Sequence, residues 1–527
     1  MKVSVSKMQG IILLLLSLVL IVITPQFWIQ YPDSGYYLGT ASQIISSMQY
    51  WFNGQPNLQY YPGTSLVVAI PLLFAGENFY ILQGFMGAIS LIGIIVIARY
   101  FAFERYGISG LLAPFFVLCS SLFVIHFYAL ISDTLFLTVT MLALLCWRKY
   151  EQTTQLKFLL LCCVLVSFSS LVRLQGLFFC AALGLALLIH AYQHHRETLL
   201  KSSVKLAMLG GLVCLPFLLW TIRNYLAHSP DTFNMANGYF FGLKGLSIYA
   251  KGLPGNASAE HIQAAWQFPL ERTSLFVGGL FESWYGGLSS LNRHGITLIM
   301  LVLIGFGLVP WAKRANKLEL LYVGLSMAFI SKDILLNKNL HIVYRYWLPM
   351  MPFIIVMMGL GLKTVTSFGF LGPLKRPAQI SATLFAFLLL IVAFPNLLKM
   401  YYQDDKLEQE QLAIEKLAQF TRENIPDDAI VATVDWGVLP HVIQRRSIPL
   451  LNDPDSQQSI ARMLKYHTEY LVTYNKFGRM STPAESMVKR YPKAFDEVFD
   501  GSNDNAKIGL KAYKVNIGVL RGYLTSH

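Results

Sequence analysis

Charged side chains are what this sequence has least of: Asp, Glu, Lys and Arg make up 13% of 527 residues, while 54% are apolar. Soluble globular domains carry about twice that share of charge, so a water-soluble enzyme is excluded. Cysteines at metal-ligand or disulfide-framework spacing are missing as well. The six present, Cys119, Cys146, Cys162, Cys163, Cys180 and Cys214, sit in strongly apolar stretches and read as soft packing residues. No internal repeat is visible, which weighs against the repeat-built transporter folds. Lysine and arginine are absent from residues 26–76, a gap that bears on topology.

What the chain does have is apolar length. A bilayer core of about 30 Å takes about 20 helical residues, fewer where neighbours help. Runs at 9–24, 79–98, 110–127, 135–147, 158–171, 177–191, 206–225, 296–311, 318–330, 347–362 and 380–398 predict about eleven transmembrane helices. The net charge of +13 is uneven: residues 1–400 hold 26 basic and 12 acidic side chains, residues 401–527 hold 16 and 17. That excess marks membrane topology rather than a nucleic-acid surface. Sixteen basic residues fall beside the spans on one side, from Lys2 and Lys7 through Arg99, Arg105, Arg148, Lys149 and Arg314 to Lys375 and Arg376. Positive flanks stay inside, so the N-terminus is expected in the cytoplasm and the C-terminal tail outside. The first apolar run has no small-residue cleavage site before Tyr31-Pro32-Asp33 and reads as a retained anchor.

The expected organisation is a polytopic α-helical membrane domain over 1–400 and a small extracytoplasmic α/β domain over 401–527. Within the first, two outer loops stand out, 26–78 and 226–295. Residues 41–52 (ASQIISSMQYWF) have one apolar face and suit a helix lying in the headgroup layer, and 64–75 reads as a re-entrant or interfacial segment. In the tail, a helical stretch at 404–423 precedes strand-like runs at 429–434, 470–473, 495–499 and 510–515.

Chemistry concentrates on the outer face. Asp33 follows the first span on a loop without basic residues, where a carboxylate can take a proton from a hydroxyl or hold a cation; a plain turn or helix-cap aspartate is the competing reading. Arg173 in Leu-Val-Arg-Leu-Gln, Arg223 in Trp-Thr-Ile-Arg-Asn and Arg345 in Val-Tyr-Arg-Tyr-Trp-Leu-Pro lie at outer ends of spans, with Lys338 and His341 on the same face. Their planar donors match phosphate oxygens, although arginines also snorkel to lipid headgroups. Asp133 stands at the mouth of another span, as a functional boundary carboxylate or a cap. His126, His294 and His341 lack ligand spacing and read as packing residues first.

In this setting Tyr60-Tyr-Pro-Gly-Thr-Ser-Leu66, Leu171-Val-Arg-Leu-Gln-Gly176, Trp220-Thr-Ile-Arg-Asn-Tyr225 and Arg345-Tyr-Trp-Leu-Pro349, together with Asp33, fall into an order that resembles the C-type integral-membrane glycosyltransferases. The closest branch contains the protein O-mannosyltransferases, the lipid A aminoarabinose transferases and the RgtA/B/C/D-like enzymes. The resemblance covers residues 1–362, and the tail is similar to the small outer domain many members carry. It implies transfer of a sugar from a polyprenyl-phosphate carrier to a hydroxyl of a glycan, lipid or protein at the extracytoplasmic face, usually with inversion, in a bacterial inner membrane. Asp33 then matches the loop carboxylate that activates the acceptor or helps hold a metal. Arg345, Arg173 and Arg223 match cations around the carrier phosphate, with Tyr344, Tyr61, Asp133 and His341 as further substrate contacts.

Two departures matter. Many members pair the loop carboxylate with a second acid, and aminoarabinose-type transferases place an acid and a lysine before the loop proline, where this chain has Tyr60 and Tyr61. A divalent cation is therefore the one cofactor left open, with its ligands unassigned. The Trp-Trp-Asp signature of oligosaccharyltransferases is absent from the tail. Two other functions compete: a transporter or flippase of lipid-linked saccharides, which would need polar residues along several spans, and a non-enzymatic polysaccharide-assembly protein.

Overall fold

Apolar runs in a membrane-sized chain become helices because the helix alone satisfies every backbone group within one segment. The computed structural model follows that rule. It describes residues 23–58, 60–101, 103–194, 199–227, 290–336, 345–367, 396, 398–399, 402–434, 437–450, 457–476, 482–502 and 508–525. Nearly all of the expected spans at 9–24 and 380–398, and nearly all of the loop 226–295, lie outside them. Among the described residues the α-helices of ten or more residues are α1 (Pro32–Ser47), α2 (Pro62–Ala75), α3 (Phe79–Tyr100), α4 (Ile108–Leu118), α5 (Ser132–Thr153), α6 (Leu156–Val172), α7 (Gln175–His194), α8 (Leu199–Ala227), α9 (Ser290–Ala312), α10 (Lys317–Leu336), α11 (Met351–Val365) and, opening the tail, α12 (Asp404–Asn424). Four stretches among the described residues are long and apolar enough to cross a membrane: Phe79–Tyr100, Gln175–Gln193, Leu209–Ala227 and Arg345–Val365. The chain is a polytopic helical membrane protein.

Close helix packing relies on small residues. Gly307 of α9 and Gly361 of α11 face each other's helix so tightly that a Cβ on either would fall within 2 Å of a carbonyl oxygen, of Met357 and of Leu303. One expected span is divided: 110–127 is α4 followed by the short helix Ser121–His126, with a break at Cys119–Ser120.

The 26–78 loop is more ordered than its sequence pattern implies. The helix expected over 41–52 starts earlier, at Pro32, whose fixed φ suits a first turn, and stops at Ser47. Trp51–Phe52 (β1) belongs instead to an antiparallel hairpin with Gln55–Pro56 (β2). Its turn is Asn53-Gly54, both at positive φ (54° and 70°), the residue pair that a two-residue hairpin prefers. α2 has 14 residues, about 21 Å, shorter than a bilayer core of about 30 Å. It buries Thr64, Ser65, Val68 and Leu72 and exposes Leu66, Ile70, Leu73 and Phe74.

The tail folds around a five-stranded mixed sheet in the order β4-β3-β5-β7-β6, with strands β3 (Ile430–Thr433), β4 (Arg446–Pro449), β5 (Tyr470–Lys476), β6 (Phe495–Asp500) and β7 (Ile508–Val515). β3 runs parallel to β4 and β5, and β7 antiparallel to β5 and β6. β4 has no counterpart in the strand pattern read from the sequence. The tail shares a core with the membrane-proximal loop: Trp28, Leu38 and Ala41 cluster with Leu417, Val431, Val438, Leu439 and Tyr474. The first half of α1, which precedes the segment expected in the headgroup layer, is consequently buried between helices and tail, because α13 (Val438–Ile443) covers it. Gly35 makes this possible, since a Cβ there would lie 2.2 Å from the Gly437 carbonyl. Polar ties reinforce the contact: Tyr474 Oη donates to Gln30 Oε1 at 2.7 Å, Trp28 N to Gln411 Oε1 at 3.1 Å, and Asn53 Nδ2 to Ser447 Oγ at 3.1 Å.

Candidate active site

Three widely separated motifs meet at the start of α1. Asp33 lies in its first turn, but the helix start is organised by Tyr31 and Ser34, whose Oγ accepts from Tyr31 N at 3.1 Å and donates to Tyr31 O at 2.6 Å. The Asp33 carboxylate is thereby left to face outward from the turn. Its Oδ1 accepts from Tyr60 Oη at 2.7 Å and its Oδ2 from Arg345 Nη1 at 2.8 Å.

Arg345 bridges two carboxylates. While Nη1 holds Asp33, Nη2 donates to Asp133 Oδ2 at 2.7 Å and Nε to Asp133 Oδ1 at 3.3 Å. Asp133 occupies the first turn of α5, where the helix dipole favours an anion, and its side chain is fully buried. Arg173 completes the group. α6 ends at Val172, the chain turns extended at Arg173, and Nη1 donates to Asp133 Oδ1. The Arg173 guanidinium also lies over the Tyr346 ring, 5.3 Å from its centre, and Gln175 Nε2 donates to the Tyr346 carbonyl at 3.1 Å. The Leu171–Gly176 and Arg345–Pro349 motifs are thus locked together.

Two acids and two arginines make a formally neutral tetrad of graded exposure. The side chains of Asp33 and Arg345 are 16% and 27% exposed, those of Arg173 and Asp133 11% and 0%. Tyr36, Tyr37 and Tyr60 wall the Asp33 side, with ring centres of Tyr60 4.7 Å from Tyr36 and 5.2 Å from Tyr37. Burial, and then the Asp33 charge, push the Tyr60 phenol well above its ordinary range, so it stays a donor toward Asp33.

Other expected contacts are placed differently. Arg223 joins the loop rather than the tetrad: Nη1 donates to Asn57 O at 2.8 Å and Nη2 to Tyr50 O at 2.7 Å, with the guanidinium against Tyr50 and Trp220. The phenol that reaches Asp33 is that of Tyr60, whereas Tyr61 packs beside Phe217. His126 Nδ1 lies 2.8 Å from Leu122 O, and its ring is 6.0 Å from that of Tyr31. Tyr344, His341 and Lys338 are outside the described residues, as is the side chain of His294. Tyr60, Tyr37, Tyr346 and Gln175 were missed. Tyr60, Tyr346 and Gln175 stand inside the quoted motifs, and only their facing was illegible.

The described residues do not fit a divalent cation. No group of three or more His, Cys, Asp or Glu side chains converges, and both acids of the tetrad already share the Arg345 guanidinium.

No protein-family model matches the chain, and no curated protein matches it in sequence. Solved structures do match. ArnT from Cupriavidus metallidurans in the apo state aligns over 98% of this chain and 99% of its own, with TM-score 0.56 and 11% identity. ArnT from the same organism bound to undecaprenyl phosphate aligns over 95% and 97%, with TM-score 0.54 and 13% identity. The fold is that of the C-type membrane glycosyltransferases. An oligosaccharyltransferase from Archaeoglobus fulgidus, tethered to an acceptor peptide, has the same C-type fold over 88% of this chain and 68% of its own, with TM-score 0.50 and 13% identity. At such identities the C-type likeness concerns the path of the backbone. The tetrad belongs to this chain's own side chains.

Proposed function

We propose that the protein transfers a sugar from a polyprenyl-phosphate carrier to an acceptor hydroxyl at the extracytoplasmic face of the membrane. One observation carries the reading: Arg345 holds Asp33 and Asp133 at once, at 2.8 and 2.7 Å. The shared fold supports it, because one of the ArnT structures was solved with undecaprenyl phosphate.

In the resting site Arg345 neutralises Asp33. A carrier phosphate is the stronger partner for a planar guanidinium, so its arrival draws Arg345 away and leaves the Asp33 carboxylate able to accept a proton. Asp33 takes the proton of the acceptor hydroxyl as that oxygen bonds to the anomeric carbon. The bond from that carbon to the phosphate oxygen breaks, and its electron pair leaves with the carrier phosphate, facing Arg345. Single displacement inverts the anomeric centre. Asp133 and Arg173 act by position: Asp133 anchors two guanidinium groups, and Arg173, tied to Tyr346, fixes the segment that carries Arg345. Such pre-set charges stabilise a developing anion without reorganising at the moment of reaction. We place the loop 26–78 and the tail on the same outer side and assign Arg223 to holding the loop rather than to the phosphate.

The test is to incubate purified protein with a panel of polyprenyl-phosphate sugars and candidate acceptors and to measure release of unsubstituted carrier phosphate. Release that requires Asp33 supports the reading. Equal release by the wild type and Asp33→Asn removes it.

A further inference from the structure

A second gathering of charge lies at the far ends of the same helices. Along α5, Arg148 comes roughly fifteen residues after Asp133, about 22 Å away, most of a bilayer core. Three guanidinium groups converge there from separate stretches: Arg105 in the short helix Phe103–Tyr106, Arg148 in the later turns of α5, and Arg314 between α9 and α10. With Glu151, Gln152 and Asn316 they line a cavity of about 460 Å³.

Arg105 is held rigidly. Its Nη2 donates to Glu319 Oε2 at 2.7 Å and to the Arg314 carbonyl at 2.8 Å, and its Nε donates to the same carbonyl at 3.2 Å. Its side chain is 10% exposed, yet Nη1 is buried without a hydrogen-bond partner among the described residues. That nitrogen is sealed among side chains, the guanidinium lying over the Tyr100 and Tyr106 rings, so Arg105 lends the cavity its charge, while Arg148 and Arg314 present donors. Arg148 Nη1 donates to Tyr100 O at 2.6 Å, and Arg314 Nη1 makes only a long contact, 3.5 Å, to Arg105 O. Glu319 balances Arg105 and Glu151 offsets one further cation, so the lining keeps a positive remainder with planar donors. Lys317, close to Glu151, adds to it.

We propose that this cavity is a binding site for a phosphate group, separate from the Asp33 site and on the opposite face of the bundle. Two forked donors, Arg148 and Arg314, with the fixed Arg105 charge behind them, match the several oxygens of a phosphate better than a single carboxylate. The group could be carried by an anionic lipid headgroup of the adjoining leaflet or by a free phosphate compound, and the chemistry at the arginines is the same for both.

Thermal unfolding of the full-length chain in neutral detergent separates the outcomes without any assay of transfer. The probes are pyrophosphate, short-chain phosphatidic acid and, as control, short-chain phosphatidylcholine. The expected result is a rise in unfolding temperature of about 2 °C or more with an anionic probe and not with the control. The rise is abolished in an Arg148→Gln/Arg314→Gln double variant. A response to phosphatidic acid alone assigns the lipid source, and a response to pyrophosphate assigns the soluble one. No rise with either anionic probe, or the same rise in the double variant, overturns the proposal. Should the double variant not fold, Arg314→Gln alters only an exposed side chain and carries the same test, with an undiminished rise again overturning it.

Discussion

The two charged clusters of this molecule sit at opposite ends of α5's neighbourhood and treat their carboxylates in opposite ways. Glu319 is completely buried and saturated: Tyr106 Oη and Trp311 Nε1 donate to Oε1 at 2.8 Å each, and Tyr100 Oη and Arg105 Nη2 to Oε2 at 2.6 and 2.7 Å. Asp33 is partly open, with one phenol and one arginine that is itself shared with Asp133. A carboxylate fixed by four donors from several elements has nothing left to offer a substrate. One held by a divided arginine can be released by a competing anion. The contrast sets a fully saturated acid apart from one with acceptor capacity to spare more sharply than burial of either does alone.

The largest expected effect tests that contrast directly. Asp33→Asn should reduce transfer by about 10²–10⁴-fold while leaving thermal unfolding nearly unchanged, the magnitude typical of a lost general base. Glu319→Ala should do the reverse, lowering stability by about 3–5 kcal/mol in chemical or thermal unfolding because Arg105 loses its buried counter-charge. If Glu319→Ala abolished transfer in protein that remained fully folded, the division between the clusters would fail. Asp133→Ala belongs between them: two guanidinium groups lose their common anchor, so stability should fall by about 3–5 kcal/mol and transfer should fall with it.

A smaller effect is expected where the tail grips α1. Gly35→Ala places a methyl 2.2 Å from the Gly437 carbonyl, and overpacking of this kind costs about 1–3 kcal/mol. Limited proteolysis should then cut between loop and tail more readily than in the wild type. Tyr60→Phe deletes one donor to Asp33, and a roughly tenfold loss of transfer is the expected scale for a hydrogen bond to a charged group. Its phenol titrates above the ordinary range, so no loss of that donor is expected on raising the pH through 9.

The smallest concerns Glu77, which sits 3.5 Å from His441 across the loop and tail. The hydrogen bond with His441 holds its carboxyl below the usual value of 4.5. A lowered acid stabilises the fold fully above its unfolded value and loses that contribution as pH falls through the folded one. Because Glu77 is half exposed, Glu77→Gln should blunt the acid-side loss of stability only slightly. A large shift in the acid unfolding midpoint would mean that the tail is latched by this pair rather than by the shared apolar core.

Much of this was legible in the sequence, and the reasons are physical. Helix positions such as α6 and α7 followed from apolar length, since nothing but a helix satisfies an apolar backbone in lipid. Asp33, Arg345 and Arg173 were singled out by the order of motifs that resembles the C-type transferases, and Asp133 stood open between a cap and a functional boundary carboxylate; that all four meet is visible only in the fold. Nor were their partners legible. Tyr60 and Tyr61 are adjacent and chemically identical, and only the turn into α2 decides which one reaches Asp33. Arg223 looked like Arg173 by its place at the end of a span, yet the hairpin at Asn53-Gly54 folds back so that Tyr50 and Asn57 carbonyls claim it. β4, four residues with two arginines' worth of polarity around it, carries too little pattern to be seen before its pairing with β3 is known.

Composition and the spacing of apolar and basic residues by themselves determined a helical membrane chain with isolated charged groups beside the spans, because solvation acts on each segment separately. Which arginine bridges two acids, which acid is sealed, and how the tail buries α1 were decided only by the tertiary structure. Those are contacts between residues as much as 444 positions apart, and their energies exist only once packing has brought the groups together and taken water away.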